Sequence, residues 1–217
     1  MIALICLLLV QDTAEATFKK IEDALQKADT IRVVMSGKVA VRRSNENLDL
    51  SNDGTLLIKG QDKIRAAMKT KSGDSNPTEV VVKSNSGKMQ GPGSALREAP
   101  GKLRGFVVAT LTRLGPSAAI QAVWGADAKG PAPTKPAVSN LVLKEAVKGV
   151  GTLTFDVVHD GRTQKVILEF DEKTHKLLKV TTRRQTQGDG EILVTETLTV
   201  ELDGEIADKE FDLADRK

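Results

Sequence analysis

Residues 168–185, LEFDEKTHKLLKVTTRRQ, hold the densest set of groups that could do chemistry. Asp171, Glu172, Lys173 and His175 offer an acid, a cation and a potential general base, and His175 is one of only 2 histidines. Acid–base catalysis needs such groups to converge on a substrate within hydrogen-bond reach. Here they interrupt two apolar runs that alternate with polar residues, Thr163–Phe170 and Lys176–Arg184. Asp and Thr at such a break satisfy turn backbone. Asp171–Thr174 is therefore read as a reversal between strands. His159 precedes another turn signal, Asp160-Gly161, and its distance from His175 matches no zinc-ligand spacing. Arg42-Arg43 and Arg183-Arg184 sit near strand ends, where charge blocks unwanted edge pairing; the functional alternative is contact with anionic lipid headgroups. No glycine-rich phosphate loop opens a helix, and neither a Gly-x-Ser-x-Gly elbow nor a zinc signature occurs. No catalytic residue, metal site or cofactor is expected, and the chain is not expected to be an enzyme.

The elements that carry these residues begin after an unusual N-terminus. The chain has 217 residues, 40% apolar, 28% charged and 3% aromatic, with no Tyr. That length fits a single globular domain whose core is aliphatic. Residues 1–16, MIALICLLLVQDTAEA, hold an unbroken apolar run from Ile2 to Val10, followed by Ala14-Glu15-Ala16. A secretory signal needs about 7–15 apolar residues and a spanning helix about 20. The run fits the first, and cleavage is expected near Ala16. Cys6 follows Ile5, which is too large for a lipid-attachment site. Removing residues 1–16 deletes the only Cys together with Asp12 and Glu15, and raises the net charge from +3 to +5. A diffuse charge of that size suits transient contact with an anionic membrane or an envelope protein. Nucleic acid is not expected, because aromatic stacking platforms are nearly absent.

Thr17–Asp29 has helical periodicity, with Phe18, Ile21, Leu25 and Ala28 on one side. From Thr30 the period becomes two: Ile31, Val33, Met35, Val39 and Val41 face one way. Ser51-Asn52-Asp53-Gly54 reads as turn chemistry before a strand at Thr55–Lys59. Lys63–Lys71 and Glu79–Lys83 alternate again. Gly91–Gly101 is loop-like, Lys102–Leu114 a helix with a broad apolar face, and Ser117–Trp124 a short helix. Residues 126–139, with Pro131, Pro133 and Pro136, read as an exposed connection. The remaining strands are expected at Leu141–Lys148, Val150–His159, Thr163–Phe170, Lys176–Arg184 and Glu191–Leu202. About nine strands in series, with almost no crossover helices, predict an antiparallel meander whose apolar face must be covered by the two main helices.

The order of these parts resembles the periplasmic outer-membrane lipoprotein carrier superfamily (LolA/LolB-like). The resemblance rests on DGTLLIKGQDKIRAAMK (53–69), VVKSNSGKMQ (81–90), the mid-chain apolar helix, the Asp171–Thr174 turn and the terminal EIADKEFDL (205–213) with Phe211. It departs from that pattern at Lys59-Gly60, where the carriers have Arg, and in its few aromatics, mainly Phe106, Trp124, Phe155 and Phe170. The resemblance implies a mainly β (α+β) fold: a curved antiparallel sheet forming a half-open barrel, lidded by the N-terminal and mid-chain helices. It also implies that residues 17–217 form one lipid-binding domain. Its function would be that of a periplasmic or secreted monomeric carrier for lipid or lipoprotein acyl chains. The expected lining of the acyl-chain cavity is Val33, Met35, Ile64, Met68, Leu103, Phe106, Phe155, Leu168 and Val200. The alternative on the same fold is an envelope sensor or protein-interaction module with a filled core.

Overall fold

The computed structural model of the chain describes residues 13–43, 46–73, 75–92, 95–126, 135–159, 162–185 and 191–213. The apolar run Ile2–Val10 and residues 127–134 of the expected proline-rich connection lie outside them. The described strands alternate so regularly that they join one curved, unclosed antiparallel sheet of 11 strands. In chain order these are β1 (Thr30–Arg43), β2 (Glu46–Lys59), β3 (Lys63–Ser72), β4 (Thr78–Asn85), β5 (Lys88–Gln90) and β6 (Arg97–Glu98), then β7 (Ala137–Val147), β8 (Val150–His159), β9 (Arg162–Asp171), β10 (Leu177–Gln185) and β11 (Glu191–Leu202). The spatial order is β6-β5-β4-β3-β2-β1-β11-β10-β9-β8-β7. Two meanders thus meet where the first strand pairs with the last, Val33 opposite Val200 and Gly37 opposite Glu196.

Three helices cover the concave face: α1 (Ala14–Lys27), α2 (Leu103–Leu114) and α3 (Pro116–Gly125). α3 packs on β2 and β3, α1 reaches β7, and α2 touches both other helices. Phe18 of α1 meets Phe155 of β8 edge-to-face, with centroids 5.3 Å apart, a favourable aromatic geometry. The α1–α2 contact is fixed by polar groups. Arg113 pairs with Glu22 and lies 5.3 Å above the Phe18 ring. Thr112 donates to the same carboxylate at 3.1 Å. Buried Arg104 of α2 donates to the carbonyl of Gly60 at 2.5 Å and to that of Ala28, just past the end of α1. A cation there satisfies carbonyls that the helix leaves unpaired and complements its dipole.

On the opposite face, residues 203–213 lie across the first strands. Phe211, at the end of a 3-10 turn (Asp208–Phe211), is fully buried with Ile206 and Leu57. Lys59 and Lys63 both reach Asp208, and Lys83 donates to the carbonyl of Asp212.

Among the boundaries that differ from the sequence reading, four are informative. α1 starts earlier than Thr17, because the Thr13 side chain accepts from the Ala16 amide and caps the first turn. Cleavage after Ala16 would remove that cap. Gly91–Gly101 contains the two-residue strand β6, which pairs with β5. Ala137–Ser139 belongs to β7 and not to the connection. Most informative is Ser51–Gly54, which lies inside β2 and pairs with both β1 and β3. Gly54 serves close packing here. A Cβ at that position would stand 2.9 Å from Ile120 Cδ1 and 3.1 Å from Met35 Cγ. The glycine lets α3 sit directly on the sheet. Replacing it with a β-branched residue forces strain into a packed core, typically costing about 1–3 kcal/mol. Gly54→Val should therefore lower the free energy of urea unfolding by that amount; an unchanged value would show that α3 does not depend on this contact.

Candidate functional site

The residue cluster at 171–175 is a turn. Asp171 Oδ1 accepts from the Thr174 amide at 2.7 Å, the Thr174 hydroxyl at 2.8 Å and the Lys173 amide at 3.1 Å. The hydrogen bonds from Thr174 hold the Asp171 carboxyl below its usual pKa. His175 adopts φ +56°, and its ring stacks on Phe170. The acid is spent on the turn's own amides and hydroxyl and borders none of the cavities described below. Arg42 pairs with Asp49 and Arg183 with Glu191. The side chains of His159 and Arg184 lie outside the described set.

The concave face itself divides into two halves. Along β1 the inward positions are buried from Ile31 through Gly37, whereas Val39 and Val41 are only half-buried. Along β11 the change falls between Val194, half-buried, and Glu196, buried. Gly37 pairs with Glu196 on one side and with Asn52 on the other. The row Asn52–Gly37–Glu196 thus marks the edge of the packed core.

Beyond this row lies a cavity of about 520 Å³. Val39, Val41, Ile192 and Val194 form its sheet wall. Phe106, Thr110 and Leu114 of α2 close one side, and Ala118 and Ala122 of α3 another. Its inner end is polar: Asn52, Ser117, Gln164, Thr182 and Glu196 are all buried and all border it. Such a volume, mostly apolar with a few convergent polar groups, is typical of small-ligand sites. Two hollows of about 400 and 680 Å³ lie mainly on the outward-facing positions of β1–β3 and β11, are more open, and are bordered by charged residues such as Lys69, Glu79, Lys38 and Arg42.

Glu196 is the only charged residue among the described residues that line the site. Its exposure is 2%. Oε1 accepts from the Ser117 amide at 3.2 Å, in the first turn of α3. Gly115, at φ +92°, makes room for the carboxyl: a Cβ there would fall 2.6 Å from Oε2. Pro116 offers no amide and Gly115 no side chain, so a carboxylate from β11 performs the task of an N-cap. Among the described residues, Glu196 Oε2 and Asn52 Oδ1 have no hydrogen-bond partner. Burial raises the Glu196 pKa to about 7, against the lowering effect of Ser117.

The nine residues expected to line a cavity separate accordingly. Phe106, half-buried, stands in the cavity wall. Val33, Met35, Ile64, Met68, Leu103, Phe155, Leu168 and Val200 are all less than 9% exposed and join the core beneath the helices. Met35 and Met68 also reach the border of the 400 Å³ hollow. The sequence reading passed over Glu196, Asn52 and Gly37. The available signal was phase: each occupies an inward position of an otherwise apolar alternation, as in Ile192, Val194, Glu196, Leu198, Val200.

No family model and no curated protein matches the chain. Solved structures similar to it include a DUF1329 family protein from Desulfovibrio piger, at TM-score 0.38 and 12% identity over 93% of this chain and 98% of that one. They also include a LolA superfamily protein from Nitrosomonas europaea, at TM-score 0.38 and 12% identity over 94% of this chain and 99% of that one. A third is a chain of the Pseudomonas aeruginosa MucA/MucB complex, at TM-score 0.35 and 13% identity over 93% of this chain and 61% of that one.

The raised pKa makes Glu196 a source of pH-dependent stability. Below pH 4.5 the carboxyl is protonated in folded and unfolded chains alike, and it imposes no cost. Between 4.5 and about 7 the unfolded chain ionises first, so folded stability falls as pH rises. The full loss, reached above pH 7, is of the order of 3 kcal/mol at 1.36 kcal/mol per pKa unit. Urea unfolding of the wild type should therefore weaken between pH 5 and pH 8 relative to Glu196→Gln. Parallel pH profiles for the two proteins would contradict this assignment.

Proposed function

We propose that the chain is a carrier-like protein of the cell envelope that binds the acyl chain of a lipid or lipoprotein at the open end of its concave sheet face. The observation that supports this most is the change along single strands from buried to half-buried apolar residues, at Gly37 on β1 and Glu196 on β11. Aliphatic positions without a protein partner are what an apolar chain would cover, at about 0.8 kcal/mol per methylene. In this reading Phe106 contacts the ligand directly, and the eight buried residues form the packed floor against which the cavity is built. The Ile2–Val10 run would direct secretion, with cleavage near Ala16, and residues 17–217 would act as one monomeric domain. The same filled floor also favours a second reading, a sensor or protein-interaction module in which the ligand is a regulator and not cargo.

The test uses the secreted protein. Its native mass should exceed the mass of the mature polypeptide, measured after denaturation, by one lipid, and it should enhance the fluorescence of the neutral dye N-phenyl-1-naphthylamine. Phe106→Asp places a charge in the apolar wall, where an unpaired carboxylate is costly to desolvate. Dye affinity should fall at least about tenfold, the equivalent of 1.4 kcal/mol, while thermal unfolding stays cooperative. Normal dye uptake by the folded variant would defeat the proposal.

A further inference from the structure

The character of the cavity's inner end limits what can be bound there. Among the described residues its lining contains one ionisable side chain, Glu196, and no Lys, Arg or His. The unpartnered atoms at the row are both acceptors, Glu196 Oε2 and Asn52 Oδ1, each on a residue more than nine-tenths buried. Gly37 lies between these two residues on the middle strand. A Cβ on Gly37 would come within 3.2 Å of Glu196 Cγ, so the acid leans over the glycine and toward the centre of the row. Ser117 adds a hydroxyl that lies 3.7 Å from Met35 Sδ and near enough to Glu196 to lower its pKa; its oxygen keeps lone pairs that can accept. Buried acceptors without donors are costly. A ligand carboxylate or phosphate would add acceptors and negative charge where both are already in excess.

We infer that the cavity is selective for an amphiphile bearing a protonated amine, with the ammonium at the Asn52–Gly37–Glu196 row and the hydrocarbon along Val39, Val41, Ile192 and Val194. An ammonium carries three donors and no acceptor, which matches Glu196 Oε2, Asn52 Oδ1 and the Ser117 hydroxyl in number and kind. The terminal Glu196 torsion is soft, so the carboxyl can re-aim when a ligand donor arrives. This inference rests on the acyl-chain reading above and specifies its head-group chemistry.

Three competitors of equal chain length, dodecylamine, dodecanol and dodecanoate, separate the terms when used to displace bound N-phenyl-1-naphthylamine at pH 7.5, below their aggregation limits. The amine should compete at least about tenfold better than the alcohol, the usual worth of a charge-assisted hydrogen bond, and dodecanoate should compete worst. In Glu196→Gln the ratio of amine to alcohol should shrink toward one. Because that variant alters the start of α3, a second change keeps the test open if it does not fold. Gln121→Lys, at an exposed position on the cavity rim, should lower the amine-to-alcohol ratio and raise the dodecanoate-to-alcohol ratio. Equal competition by all three head groups, or ratios indifferent to both substitutions, would overturn the inference while leaving chain binding intact. Absence of dye binding to the wild type would instead overturn the acyl-chain reading.

Discussion

A sheet whose strands are longer than the helices of its lid extends part of its apolar face beyond the described helices, and this mismatch governs the molecule. β1 and β2 each have 14 residues, a span of about 46 Å in extended conformation. The longest described helix, α1, has 14 residues and is about 21 Å long. None of the described helices can run the length of the central strands, whatever its direction. Cohesion among the helices confines cover to one end. Arg104 binds α2 to the end of α1 and to the β2–β3 turn, Arg113 and Thr112 bind α2 to Glu22, and Gly54 admits Ile120 of α3 to the sheet. Under that cluster lies a dense aliphatic core. Past it the same strands continue with Val39, Val41, Ile192 and Val194 only half-buried.

The transition between these halves is chemical as well as steric. A helix beginning Gly-Pro has neither a capping side chain nor an amide at its first position, and the sheet supplies the missing acceptor through Glu196. That arrangement leaves a carboxyl in a place where its charge is poorly solvated, which is why its pKa approaches neutrality. Gly37 beneath it and Gly115 above it are the two positions where a side chain would displace it. An acid that only capped a helix would need one oxygen. The second oxygen, and the amide oxygen of Asn52 across Gly37, remain without partners at the cavity wall. Capping therefore accounts for half of this polar row, and a ligand donor accounts for the rest.

Much of the architecture was legible in the sequence because period-two alternation is a local signal. β8 and β11 start and end where the pattern does, and Asp171–Thr174 declared itself as a turn through side chains that bond their own backbone. The Asp53-Gly54 dipeptide was misleading because turn chemistry and close packing both call for glycine, and only the identity of the opposing residue, Ile120, distinguishes them. β6 escaped notice because two residues cannot establish a period. The site was less legible for a related reason. Alternation identifies the inward face but not how far along a strand the helices reach, so Val33 and Val39 look equivalent in sequence and differ in burial. Glu196, Asn52 and Gly37 interrupt the apolar phase at matched register positions on three neighbouring strands, a coincidence visible only once the pairing of β1 with both β2 and β11 is known.

The central claim, that a ligand occupies the uncovered half of the concave face and not the core, is tested most directly by methyl NMR. Spectra of protein labelled at Val and Ile methyls would be recorded with and without dodecanol. The account predicts shift changes concentrated at Val39, Val41, Ile192 and Val194, with Val33, Val82 and Val166 of the core unmoved. Changes centred on the core valines, or on outward-facing Val34, would contradict it.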